Sequence, residues 1–123
     1  MNRLLAACLL LVLGLHGAVA APSEARPEID ALLARLQSSG CAFSRNGSWY
    51  DAAEARKHLQ AKLDYLERRN LVQTTEQFID RAASQSSVSG KAYLVRCGEA
   101  APVESRAWLT RELKSLRAGA SVR

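Results

Sequence analysis

Cys41 to Leu66 reads CAFSRNGSWYDAAEARKHLQAKLDYL. Its punctuation predicts strand, tight turn, strand and helix. Asn46-Gly47 is the hairpin signal, because a type I′ turn needs φ > 0 at both central residues. Asp51 follows the second short strand and is placed to cap a helix. Glu54 sits three residues later, at the capping-box position. Ala52, Ala55, Leu59, Leu63 and Leu66 then form one apolar face, and the helix runs from Ala52 to about Arg69, with Asn70 ending it. On the first strand, alternation puts Cys41, Phe43 and Arg45 on one face, with Arg45 beside the turn. Trp49 and Tyr50 are expected to supply one core aromatic and one cover residue.

Upstream, Pro27 suits a first helical turn, after a loosely ordered 21–27. Ile29, Leu32, Leu33 and Leu36 give an amphipathic helix that ends at Gly40. Downstream, Thr74 and Gln77 have capping-box spacing before a short helix carrying Phe78, Ile79, Ala82 and Ala83. Ser84 to Gly90 is a serine-rich loop with locally bonded hydroxyls. Lys91 to Cys97 alternates as a strand, with Tyr93, Val95 and Cys97 on one side and Leu94 and Arg96 on the other. Gly98 to Pro102 turns. Ser105 can cap a last helix with Trp108, Leu109, Leu113 and Leu116 on one face. Arg106, Arg111, Lys114 and Arg117 lie on the other. The expected fold class is α+β, about four helices packed on a short antiparallel sheet made of hairpin 41–50 and strand 91–97.

Residues 1–20 read as a secretory signal peptide. Arg3 gives a positive start, 4–15 is almost wholly apolar, and Ala18-Val19-Ala20 is a small-x-small cleavage site. The apolar run falls short of the about 20 residues that span a bilayer. Cys8 lies inside that run and goes with the signal. The expectation is a periplasmic or secreted protein, cut after Ala20, with 21–123 as one small domain and no transmembrane span in the mature chain. The precursor has three cysteines. Removing Cys8 leaves Cys41 and Cys97, which have one possible pairing in an oxidising compartment. In the chain-entropy model such a long loop contributes ~4 kcal/mol.

The chain carries a formal charge of +5. The excess suits solubility and association with anions, and it says nothing of fold. Catalytic signatures are missing: Ser84 to Gly90 holds no nucleophile elbow, and Gly90-Lys91 is not a phosphate loop. No specific nucleic-acid motif occurs. The mature chain has one histidine, His58, and its cysteines are consumed by each other, so no metal site and no cofactor are expected.

The run Phe43-x-Arg45-Asn46-Gly47-x-x-Tyr50, followed by Ala55-x-x-His58-Leu59-x-x-Lys62, resembles a bacterial family of small signal-peptide-bearing proteins, domain of unknown function 5329. Phe78-Ile79, Ser84-x-Ser86-Ser87-x-Ser89-Gly90-x-x-Tyr93 and Trp108-Leu109 are similar to its later blocks. The resemblance covers nearly all of the mature chain. It implies export and no known activity, cofactor or partner.

The marked residues carry their own chemistry. His58, Lys62 and Tyr65 fall at i, i+4 and i+7 along one flank of the apolar face. With Arg45, Ser84, Ser86, Ser87 and Tyr93 they are the candidate anion-binding set. The bland alternative has Lys62 lying over the core and His58 paired with Glu54. The leading expectation is a non-catalytic binding or structural module for an anionic small molecule, lipid headgroup or envelope component. One rival is a membrane-surface protein using the basic last helix, which requires that helix's apolar face to be free. The other is a small hydrolase with His58 as base, which requires a serine hydroxyl within reach of His58.

Overall fold

The computed structural model describes Gly14 and residues 24–121. The signal peptide, its cleavage site, Cys8 and the start of the 21–27 segment lie outside the described residues. Within them the chain order is α1 (Arg26–Ser39), β1 (Ala42–Arg45), β2 (Ser48–Tyr50), α2 (Ala52–Glu67), α3 (Thr75–Ala82), β3 (Leu94–Arg96), β4 (Val103–Glu104) and α4 (Ser105–Ser121). These four helices pack on a four-stranded antiparallel sheet of order β2-β1-β3-β4. The fold class is α+β, as the sequence predicts.

The hairpin forms where Asn46-Gly47 requires it. Their φ angles are 52° and 81°, and Arg45 pairs with Ser48 across the turn. Asp51 caps α2 by accepting a 2.8 Å bond from the Glu54 N–H. Asn70, at φ 55°, turns the chain out of that helix. The helix proper stops at Glu67, two residues short of the predicted end. Thr74 caps α3 through the Gln77 N–H at 3.1 Å. Gln77 reaches back to the Gln73 N–H, one residue before the position a capping box uses. Gly40, at φ 66°, closes α1.

The predicted apolar faces meet in one core. Ile29, Leu32, Leu33 and Leu36 of α1 interlock with Leu59 and Leu63 of α2, Phe78 and Ile79 of α3, and Leu109 and Leu113 of α4. Phe43, Tyr93 and Val95 are the sheet's contribution, and a Cys41–Cys97 disulfide, Cα–Cα 4.3 Å, joins the segment before β1 to the end of β3. Trp108 is 8% exposed, so the apolar face of α4 is spent on the core. Of the basic face of α4, Arg106 pairs with Asp80, and Arg117 with Glu28 and Glu76. No helix among the described residues is long and apolar enough to cross a membrane.

Five expectations need correction. Helix α1 begins at Arg26, inside the stretch expected to be loose. Trp49 and Tyr50 are both outside the core, 38% and 37% exposed. Their strand is the sheet edge, beyond the helices, and guanidinium groups cover their rings instead. Arg96 Cζ stands 4.2 Å from the Trp49 ring centroid, and Arg45 Cζ 5.5 Å from that of Tyr50. Strand β3 is shorter than 91–97, because residues 84–93 bond to each other. The Ser86 N–H donates to Lys91 O and the Tyr93 N–H to Ser84 O. Strand β4 was not foreseen; it pairs Val103 with Val95 and Glu104 with Leu94. Finally, Ser105 is the first residue of α4 and its buried hydroxyl has no hydrogen-bond partner, so it caps nothing. The chain enters α4 directly from β4, which pins Ser105 against the sheet through a 2.8 Å bond from its N–H to Tyr93 O.

Candidate functional site

Four of the expected residues converge. Arg45 ends β1 at the turn, on the Phe43 side of the strand. His58 and Lys62 stand one helical turn apart on α2, beside the buried Leu59–Leu63 row. Tyr93 immediately precedes β3 and is almost wholly buried, its ring tilted against Phe43 at 5.1 Å between centroids. Arg45 Nη1 lies 2.7 Å from His58 Nδ1 and 3.3 Å from Nε2. His58 Nε2 lies 3.1 Å from the Tyr93 hydroxyl, and Lys62 Nζ is 3.0 Å from the same oxygen.

Proton accounting fixes the direction of this chain. A guanidinium only donates, so the nearer ring nitrogen, Nδ1, accepts from Arg45. The neutral imidazole then carries its proton on Nε2 and donates it to the Tyr93 oxygen. Lys62 donates to that oxygen too, and spends a second N–H on Gln85 O at 3.0 Å. With both lone pairs occupied, the Tyr93 O–H is left to donate. No described protein group accepts it.

The serine loop closes over this chain. Ser89 Oγ donates to Asn46 Oδ1, tying the loop to the hairpin turn. Ser86 Oγ accepts from the N–H groups of Val88 and Ser89, both at 3.2 Å, which shapes the tip. Ser86 and Ser87 line a hollow of about 320 Å³ together with Arg45, His58, Lys62 and Tyr93. Ser84 does not belong to it: its hydroxyl donates to Ile79 O at 2.6 Å and accepts from Arg106 Nε at 3.2 Å. Tyr65 is exposed, with Arg69 stacked on its ring, and borders a neighbouring hollow.

The local electrostatics are one-sided. Among the described residues, no carboxylate is within ion-pair distance of Arg45 or Lys62. Burial, followed by the charges of Arg45 and Lys62, pulls the His58 pKa down to about 4. Burial and then Arg45 lower that of Lys62. Burial raises that of Tyr93, with Arg45 acting against it. At neutral pH the cradle therefore holds two cations, a neutral histidine and a hydroxyl, with hydrogen-bond donors to spare. The His58–Glu54 pairing does not form. No serine hydroxyl among the described residues reaches His58, and no His, Cys, Asp or Glu cluster there could hold a metal ion.

Several contributors were not read from the sequence. Gln85 acts through its backbone, which no side-chain pattern reports. Asn46 was read only as a turn former. Ala55 and Ala61, three residues on either side of His58, leave space beside its ring. Their small size at that spacing was the available signal.

Residues 23–117 match a family described as a family of unknown function (DUF5329). The uncharacterized protein YfeK of Salmonella typhimurium is 45% identical over 86 residues, which is 69% of this chain and 68% of that protein. No solved structure matches the chain.

Proposed function

We propose, for a chain that belongs to the DUF5329 family of unknown function, that it is an exported, non-catalytic module that binds an anion in the Arg45–His58–Lys62–Tyr93 cradle. One observation carries this reading: two part-buried cations share a hydrogen-bond chain that contains donors and no carboxylate. Leaving such charge without a counterion is costly, and a carboxylate or phosphate supplies one. Guanidinium presents a fork to two oxygens, Lys62 a point charge, and the Tyr93 O–H a directed donor. Ser86 and Ser87 are the hydroxyls at the rim.

Export is supported by the leader-like pattern of 1–20 and by the disulfide, which persists in oxidising compartments. The membrane-surface reading has less support, because the apolar face of α4 is buried and two of its cations are paired. The hydrolase reading has less support, because no serine hydroxyl among the described residues reaches His58.

Calorimetric titration of the folded protein with inorganic phosphate, acetate and succinate tests the proposal. Binding should weaken with salt, and Arg45→Ala and Lys62→Gln should each lower affinity by about tenfold or more, the scale of one charge-assisted hydrogen bond. Absence of binding by every anion at every pH, together with lost stability in both variants, would make the cradle an architectural feature.

A further inference from the structure

The anion cradle has an apolar annexe. Arg45 and His58 are shared between the serine-rimmed hollow and a second one of about 270 Å³. The second hollow is lined by Phe43, Tyr50, Ala55 and Ala61, with the exposed Glu54 and Lys57 also on its lining, so its apolar part is the surface between Phe43, Tyr50 and the two alanines. A bare inorganic anion in the cradle leaves this surface wet. Arg45 stands at the junction, with its guanidinium over the Tyr50 ring.

Resting on the anion-binding reading, we infer that the ligand is a small soluble organic anion: a phosphate or carboxylate head on an apolar, ring-sized body. The head neutralises Arg45 and Lys62. The body fills the space that Ala55 and Ala61 leave open and lies against Tyr50. Charge complementarity fixes the head, and the lining fixes the body. Both alanines are within one turn of His58, so head and body are adjacent. Removing roughly 60 Å² of apolar surface from water is enough for a tenfold gain in affinity, and one aromatic ring offers more than that.

Titrations of the full chain with inorganic phosphate, methyl phosphate and phenyl phosphate test the inference. Phenyl phosphate should bind at least about tenfold tighter than methyl phosphate. Ala61→Trp fills the annexe from an exposed helix position, and should abolish that preference, the methyl and phenyl esters being compared in the same variant. Tyr50→Ser removes the wall and should reduce the preference too. Equal affinities for the methyl and phenyl esters would overturn the inference and leave the anion site standing. So would a phenyl preference that survives Ala61→Trp. Failure of all three phosphates, and of acetate and benzoate as the corresponding carboxylate pair, to bind would overturn both. Anionic vesicles that bind the protein more tightly than phenyl phosphate does would replace the soluble ligand by a lipid surface, against this inference.

Discussion

His58 is where position most changes chemistry. An isolated histidine titrates near 6.5. Packed under Arg45 and Lys62 it is held at about 4, so it is neutral at pH 7. Two consequences follow in sign. Between those two values the unfolded chain binds more protons than the folded one, so His58 makes stability fall as pH drops through that window. The loss should be about 1–2 kcal/mol, less than the full shift implies, because the ring is partly solvated. Urea midpoints at pH 7 and pH 4 should therefore diverge more for wild type than for His58→Gln. Equal divergence would mean that His58 titrates normally. An anion in the cradle opposes the two cations, so it must raise the pKa of His58. Binding in mild acid should accordingly take up protons, and the calorimetric enthalpy should change with the ionisation enthalpy of the buffer. Affinity tightens as pH falls below the bound-state pKa, which lies above the free value of about 4.

Elements were legible wherever a local rule fixed them. Asn46-Gly47 demanded positive φ at both residues, and the structure has it. At Gly47 nothing lies within 4 Å of where a Cβ would stand, so Gly47→Val tests backbone strain alone. It should cost about 1–3 kcal/mol in a urea titration, and an unchanged midpoint would mean that the turn had relaxed to another type. Helix α4 was legible through its apolar spacing. Trp108→Ala should lose about 3–5 kcal/mol, whereas a variant of wild-type stability that no longer binds anionic vesicles would return α4 to the membrane. What stayed hidden depended on distant pairings. By composition one of Trp49 and Tyr50 belongs in the core and the other covers it, and only the strand order makes β2 an edge. Val103-Glu104 is too short to carry a pattern, and it is a strand only because β3 is beside it. Ser105 resembled a cap until β4 ran directly into the helix. For the site, chain reading gathered Arg45, His58, Lys62, Ser86, Ser87 and Tyr93. It misplaced Ser84, because the register of the 84–93 turn decides which hydroxyls face the hollow and which face Arg106.

At the scale of the molecule, the disulfide encloses the whole site. Cys41 and Cys97 are 56 residues apart, and all cradle and annexe residues fall between them. Helices α1 and α4 lie outside that loop and press on it from the core side. A cross-link closing so long a loop acts mainly on the unfolded chain and contributes ~4 kcal/mol, a large share of the about 5–15 kcal/mol that holds a small protein folded. Yet no cradle contact runs through sulfur. Arg45, His58, Lys62 and Tyr93 hold one another directly, and Ser89 holds the loop to Asn46. Mass mapping of unreduced protein should find the Cys41 and Cys97 peptides linked. The double variant Cys41→Ala, Cys97→Ala should lose about 4 kcal/mol in urea while keeping the cradle intact whenever it is folded. A saturating anion at about 100 times its dissociation constant should then raise the stability of both proteins by the same ~2.7 kcal/mol, since that increment depends only on affinity for the folded state. A double variant that is folded but gains nothing from the anion would mean that the bridge shapes the site as well as stabilising the fold.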